Sequence, residues 1–327
     1  MPVVQIGLLH TGNQNVFQGL VDQTINAANA WLQQNAPGTS IQLQPNRAKF
    51  ANDDLEQLEE DSLALVADPG AEIILAAGGP QSAIAARDAT EEANPIVAQR
   101  KPVVFTTVTD PVGLGLRNQL PAPGGTNLVG MSGETSELDP KRLRLLNAFV
   151  KAQGTAVGDK VGALVNPLRE HNHQQFEKLK TEANNLNLKL VKRLAINQRG
   201  MRNAYGLFKR RNAFGVVVTA DSFFNNNRAT IIQAAANRGL PSIYQWKAFV
   251  DGGGLMSYGP SLQGAYQKAG EFLGMLAKEP PQNRLPSNIA CATATVFELL
   301  VKRSTATNLG FTVFPATLDG VPVTYVT

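Results

Sequence analysis

Polar side chains that directly follow short apolar runs are the residues of this sequence best placed to do chemistry. His10 and Thr11 follow the run 3–9, Gly78-Gly79-Pro80-Gln81-Ser82 follow Ile73-Ile74-Leu75-Ala76-Ala77, and Thr106-Thr107 lead through Val108-Thr109 to Asp110. Asn166, Asp221-Ser222, Trp246 and Tyr258 hold comparable places further along. Glycines and small hydroxyl residues at a helix start leave backbone N–H groups free, which suits a carboxylate or another anion. Gln81-Ser82 is the best placed pair for that task, and Ser82 capping only its own helix is the competing reading. Asp221 can meet a ligand ammonium or cap the helix that follows it. Phe105, Phe223, Phe224, Trp246 and Tyr258 are candidates to flank a flat ligand group, although core packing explains most aromatics in such positions.

Other chemistries find little support. The sequence has no GxxxxGK and no GxGxxG opening a helix; Gly113-Leu114-Gly115 lacks the third glycine and follows a Thr-Asp-Pro turn. Gly130-Met131-Ser132-Gly133 is one residue short of the GxSxG nucleophile elbow. His171 and His173 sit at i and i+2 near a helix start and point to different faces, so they read as surface histidines and not as a metal pair. Cys291 is the only cysteine, which excludes an internal disulfide and a cysteine-based zinc site. No nucleophile stands with a base and no carboxylate pair stands with a metal, so the expectation is a non-enzyme without cofactor or metal.

The elements that must position these residues alternate. Strand-like runs at 3–9, 41–43, 73–77 and 103–107 are separated by helical periodicity at 17–34, 53–66 and 83–93. Asn52-Asp53-Asp54 supplies a cap for the second helix and places acidic residues in its first turn, as the helix dipole favours. A glycine-rich stretch carries Gly113, Gly115, Gly124 and Gly125, then a short strand ends at Ser132 and a helix runs over 138–151. The pattern repeats with strands at 161–165, 188–191, 215–219 and 242–245, an edge strand at 255–258, and helices at 171–186, 201–210, 227–238 and 262–278. Residues 296–301 and those after 309 read as returning material. Strands alternating with helices imply parallel sheets covered on both faces, which bind ligands at the carboxyl ends of their strands.

At 327 residues the chain suits two domains. Hydrophobic content of 43% with 17% charged residues is that of a soluble globular protein. The formal charge of +4 is spread along the chain, and its densest cluster, Lys209-Arg210-Arg211, has no aromatic pair beside it, so a solvated helix end is expected and not a nucleic-acid face. No apolar run approaches the ~18–20 residues that span a bilayer. The start enters a strand with no basic region and no signal-peptide core, which fits either a cytoplasmic protein or a mature form whose leader is replaced by Met1.

Several stretches together resemble the tryptophan/tyrosine-type family of ABC-transporter substrate-binding proteins. They are Val104-Phe105 through Thr109-Asp110-Pro111-Val112-Gly113-Leu114-Gly115-Leu116, Pro123-Gly124-Gly125-Thr126-Asn127-Leu128-Val129-Gly130, Glu137-Leu138, Lys141-Arg142-Leu143 and Asn166-Pro167. Asp221-Ser222-Phe223-Phe224, Arg238-Gly239-Leu240-Pro241-Ser242-Ile243-Tyr244 and Gly253-Gly254-Leu255-Met256-Ser257-Tyr258-Gly259 continue the pattern. The sequence departs from it at Ala277-Lys278-Glu279-Pro280-Pro281 and at Phe297-Glu298-Leu299-Leu300-Val301. The resemblance implies an α/β fold of two doubly wound parallel-sheet lobes joined by a hinge, the periplasmic-binding-protein clamp. Residues 1–110 with 285–327 would form the first lobe, 111–134 the crossover and 135–284 the second lobe. It further implies a periplasmic or extracytoplasmic monomer that binds a small ligand, an amino acid or a small carboxylate, and delivers it to an ABC permease, without nucleic acid. The expected ligand contacts are His10, Thr11, Gly79, Gln81, Ser82, Thr107, Asn166, Asp221, Trp246 and Tyr258. A ligand-sensing clamp that reports to a signalling partner is the alternative, and an α/β isomerase or hydrolase is a third reading that needs an acid–base pair in the cleft.

Overall fold

The computed structural model describes residues 2–108, 111–118, 125–132, 138–154, 158–168, 171–294 and 297–327, with all their side chains except those of 171–175 and 222. The expected Asp110 turn and the side chains of His171 and His173 lie outside the described residues. The chain opens with β1 (Val3–His10), α1 (Gln14–Asn35), β2 (Ser40–Phe50), α2 (Leu55–Ala67), β3 (Ile73–Ala77), α3 (Pro80–Ala93), β4 (Val103–Val108) and β5 (Leu128–Ser132). It continues with α4 (Leu138–Lys151), β6 (Lys160–Val165), α5 (His171–Asn185), β7 (Lys189–Leu194), α6 (Gln198–Arg210) and β8 (Val216–Val218). Then follow α7 (Ser222–Asn226), α8 (Arg228–Arg238), β9 (Ser242–Tyr244), α9 (Lys247–Asp251) and β10 (Met256–Pro260). Last come α10 (Leu262–Ala277), β11 (Ala292–Thr293), β12 (Phe297–Lys302), α11 (Arg303–Asn308), β13 (Thr317–Leu318) and β14 (Val321–Val326).

Two compact units result, Met1–Glu134 with Leu262–Thr295, and Thr135–Ser261 with Val296–Thr327. The first holds a six-stranded parallel sheet in the order β11-β5-β4-β3-β1-β2. The second holds eight strands in the order β13-β14-β12-β10-β9-β8-β6-β7, parallel from β7 to β10 and antiparallel where β10 meets β12. Both sheets are doubly wound, and among their adjacent parallel strands the order reverses between β1 and β3 in the first unit and between β6 and β8 in the second.

Short β-branched runs make these strands because helices cover both faces. In β8 the middle residue Val217 packs into one core with Leu146, Phe149 and Ile243, while Val216 and Val218 pack into the opposite core with Tyr205, Phe208 and Phe224. That alternation is the period-2 geometry of a strand with no solvent face. The α2 cap forms as expected: the Asp54 carboxylate accepts from the Glu56 and Gln57 N–H groups.

Three expectations are corrected. Residues 262–284, expected in the second lobe, belong to the first unit, and 296–327, expected in the first, belong to the second. The cause is local fit. α10 lays Tyr266, Ala269, Phe272, Leu273 and Leu276 into the first core, and β12 pairs antiparallel with β10. The strand expected at 255–258 as an edge lies inside its sheet, between β9 and β12. The run expected at 41–43 extends to the eleven residues of β2, because Pro45 is tolerated in a strand at the sheet edge.

α10 approaches α1 closely enough to require glycine. A Cβ at Gly270 would lie 2.4 Å from the Thr24 carbonyl oxygen, and one at Gly274 would lie 2.8 Å from the Trp31 ring. Gly270→Ala is therefore expected to lower unfolding stability by about 1–3 kcal/mol, the usual cost of overpacking. Chemical denaturation measures this, and an unchanged midpoint would show that the helices separate freely.

Candidate functional site

The two points where strand order reverses hold part of the sequence-predicted set, His10, Thr11, Gly79, Gln81 and Ser82 in the first unit and Asn166 and Asp221 in the second. Adjacent parallel strands whose connections leave in opposite directions open a crevice beyond their carboxyl ends, where ligands bind in open α/β sheets. In the first unit the flanking ends are His10 of β1, continuing to Thr11, and Ala77 of β3, continuing to Gly78, Gly79 and α3. In the second they are Val165 of β6, continuing to Asn166, and Val218 of β8, continuing to Asp221.

His10 is fully buried and both ring nitrogens are engaged. Nδ1 accepts from the Gly12 N–H at 2.8 Å, which places the ring proton on Nε2, 2.9 Å from the Tyr266 hydroxyl. Phe17 and Phe50 flank the ring at 4.5 and 5.2 Å between centroids. Gly78, at φ +89°, leaves room for it, since a Cβ there would lie 2.7 Å from the imidazole. Burial pushes the His10 pKa down to about 3, so the ring is neutral. His10 thus shapes the end of β1 from within the core.

Around it, Thr11, Thr106 and Ser132 are fully buried; the hydroxyls of Thr11 and Ser132 make no hydrogen bond, and that of Thr106 meets the Tyr266 hydroxyl. Buried hydroxyls without partners are rare, and these three stand at the carboxyl ends of β1, β4 and β5. Of the strand-end pair Thr106-Thr107 the sequence points to Thr107 as the contact, which is half-buried, and it gives no sign of Ser132. Strand parity carries the missing signal, because neighbouring residues point to opposite faces.

The start of α3 has no side-chain cap. Gly79 holds the capping position at φ +129°, Pro80 follows, and Ser82 donates its hydroxyl to the Gly79 carbonyl at 2.9 Å. Ser82 therefore does not cap the helix N–H groups, and the first turn keeps its positive end. Gln81, in the same turn, lines a groove of about 350 Å³ between α2 and α3 with Leu55, Leu58 and Ile84.

In the second unit Asn166 and Asp221 meet. The Asn166 amide donates to both Asp221 oxygens at 3.1 and 3.2 Å, and its own oxygen accepts from the Leu168 N–H at 3.1 Å. Asp221 also caps α7, accepting from the Phe224 N–H at 3.3 Å. Trp246 is half-buried at the end of β9, where α9 begins. Tyr258 belongs to the core, its ring 6.1 Å from that of Phe297.

One charged pair escaped the sequence reading as a pair. Asp139 and Arg142, one turn apart on α4, are both fully buried and ion-paired, and the Arg142 Nε donates to the Tyr258 carbonyl at 2.7 Å. Burial pushes the Asp139 carboxyl up and the Arg142 guanidinium down. The i, i+3 spacing of opposite charges is its signal in the sequence. Among the described residues no group of three or more His, Cys, Asp or Glu side chains could hold a metal ion.

A fold of two doubly wound units, each with polar groups gathered at its strand-order reversal, defines the periplasmic binding proteins. The chain belongs to the family of ABC transporter substrate-binding proteins, which matches it over residues 47–318. No protein of curated function matches its sequence. Among solved structures it is similar to a conserved domain protein from Vibrio cholerae, with a TM-score of 0.77 at 19% identity over 98% of this chain and 99% of that one. It is similar to an ABC domain from Streptococcus pneumoniae in complex with L-Trp, with a TM-score of 0.75 at 15% identity over 99% and 100% of the two chains. It is also similar to a ligand-free, open substrate-binding protein with adhesive properties from Clostridium difficile, with a TM-score of 0.63 at 20% identity over the whole of both chains.

His10 ties stability to pH. A folded pKa of about 3 against an unfolded value of 6.5 means that the unfolded chain binds the extra proton between those values. The contribution is complete above pH 6.5 and falls as pH drops toward 3, by about 1.4 kcal/mol per pH unit from this group. His10→Gln, which can accept from Gly12 and donate to Tyr266, is expected to flatten the loss of stability between pH 6 and 4. An identical slope in parent and variant would show that His10 does not titrate on unfolding.

Proposed function

We propose that this protein is the solute receptor of an ABC importer, an extracytoplasmic, non-enzymatic monomer that binds an α-amino acid and delivers it to a membrane permease. The observation that carries the reading is the chemistry at the two strand-order reversals. The first offers an uncapped helix start with unpartnered hydroxyls, which suits a carboxylate. The second offers the Asp221 carboxylate at the end of a strand with no room for a charge inside it, which suits an ammonium. In this reading Gly79 and Ser82 take the carboxylate through backbone N–H groups, and Thr11 and Thr106 supply hydroxyls. Asp221, oriented by Asn166, takes the ammonium, and Trp246 flanks the side chain. The complex of the Streptococcus pneumoniae relative with L-Trp supports the ligand class.

A thermal-shift panel of the L-α-amino acids tests the class, because a ligand that binds only the folded state raises its melting temperature. One or more of them is expected to stabilise the protein, and no shift with any of them overturns the assignment. The amide of the acid that binds is expected to bind at least about ten-fold more weakly, through loss of a charge-assisted bond of about 1.5–3 kcal/mol. Equal affinity for acid and amide would remove the carboxylate from the site.

Asp221→Asn separates cap from cation anchor. The new side chain keeps an oxygen for the Phe224 N–H, so the α7 cap survives. Its amide would face that of Asn166, whose oxygen is already engaged by Leu168, so stability is expected to fall by about 1 kcal/mol. Calorimetric affinity for the same amino acid is expected to fall by about 2–5 kcal/mol. Unchanged affinity would leave Asp221 as a cap alone.

A further inference from the structure

α10 sends one polar side chain to the strand ends of the first unit, and the ligand contacts proposed above do not include it. Tyr266 lies near the start of α10 and is fully buried within the first unit. Its hydroxyl meets three groups: His10 Nε2 of β1 at 2.9 Å, the Thr106 hydroxyl of β4, and the Gly78 N–H just after β3. One phenol thereby ties together three adjacent strands, two of which flank the order reversal.

The donors and acceptors of this cluster fall into one order. The Gly12 N–H donates to His10 Nδ1 at 2.8 Å, so the imidazole proton sits on Nε2 and is donated to the Tyr266 oxygen. The Gly78 N–H donates to the same oxygen. With both donors on that oxygen, the tyrosine proton must go to the remaining neighbour, Thr106. Burial pushes the Tyr266 hydroxyl well above its usual range, so the proton stays in place. Thr106 accepts it, and among the described residues its hydroxyl has no other partner. Its own proton is therefore turned away from the tyrosine and left uncommitted.

We propose that Tyr266 is a positioning residue for the solute, acting through Thr106 by holding that hydroxyl as a hydrogen-bond donor toward the ligand carboxylate. The inference rests on the amino-acid reading, in which Thr106 supplies a hydroxyl to the carboxylate. A free threonine hydroxyl rotates and can donate or accept, so it serves an acid and its amide alike. A hydroxyl pinned by Tyr266 meets the ligand with its proton, which a carboxylate oxygen takes and an amide NH2 cannot. The bonds from Gly12 through His10 and Tyr266 to Thr106 all run in one direction, and bonds in such a chain strengthen one another.

The test uses the full chain, the L-α-amino acid that most raises its melting temperature, and the primary amide of that amino acid. Tyr266→Phe keeps the ring in the core and removes the hydroxyl. It is expected to weaken the acid about five- to ten-fold and to leave the amide within about two-fold, as loss of one charge-assisted bond implies. Thr106→Val is expected to weaken the acid similarly, and adding Tyr266→Phe to it is expected to cost nothing more, because both act through one bond. A tyrosine that serves only the core would weaken acid and amide alike, in either background. That result overturns the inference and leaves the amino-acid reading intact, whereas a parent protein that binds no amino acid overturns both. Neutron diffraction from crystals of the deuterated parent protein decides the direction without any variant. The Tyr266 hydroxyl deuteron is expected on the line to the Thr106 oxygen, and one that points elsewhere overturns the inference.

Discussion

A parallel strand covered on both faces has no lateral place for a charge, and both units are arranged around that constraint. β3 and β8 are apolar along their whole length because each successive side chain enters one core or the other. Polar groups are displaced to the strand ends, and the reversal of strand order decides which ends stay open. Within the first unit topology sets His10 beside Gly78, and within the second it sets Asn166 beside Asp221, although each pair is far apart in sequence. The Asp139–Arg142 pair obeys the same rule by another route. It sits on a helix, buries both charges together, and spends an Arg142 donor on the Tyr258 carbonyl. A pair of this kind is costly to desolvate and more costly to split, so its value lies in fixing how α4 meets β10.

Much of this was legible in the amino-acid order. The β-branched runs at β1, β3, β4, β6 and β8 marked buried strands, and Asp54 marked a helix start. The strand ends drew attention to His10, Ser82 and Asp221 without any coordinates. Three kinds of information were not available there. Periodicity says that α10 and β12 exist, but not which sheet each will join, because that depends on the fit of Gly270 to α1 and on antiparallel pairing with β10. Parity at a strand end is fixed by register, so Thr107 was chosen where Thr106 carries the buried hydroxyl. The fate of a side chain's hydrogen bonds is also hidden. Ser82 read equally well as a cap or an anion ligand, and only its bond to the Gly79 carbonyl removes the first option.

Asp221 shows why cap and ligand anchor were hard to separate. Its carboxylate accepts the α7 N–H and the Asn166 amide at once, and these bonds orient it. Neutral donors hold a carboxylate's geometry and leave its negative charge to attract a cation. A cap of this kind is therefore compatible with the proposed anchor. His10 is the opposite case: both nitrogens are used, the charge is removed, and the side chain serves shape alone.

The return of α10 to the first core has a consequence for the order of events during synthesis. A ribosome releases β1 to β5 long before residues 262–277, so the first sheet emerges with the groove beside α1 uncovered. The second unit in turn waits for β12 and β14 before the exposed side of β10 is paired. Each unit thus needs a late segment, and neither can finish while the nascent chain is short. The apolar surfaces left open in the interval invite misassociation, the hazard of slow multi-domain folding.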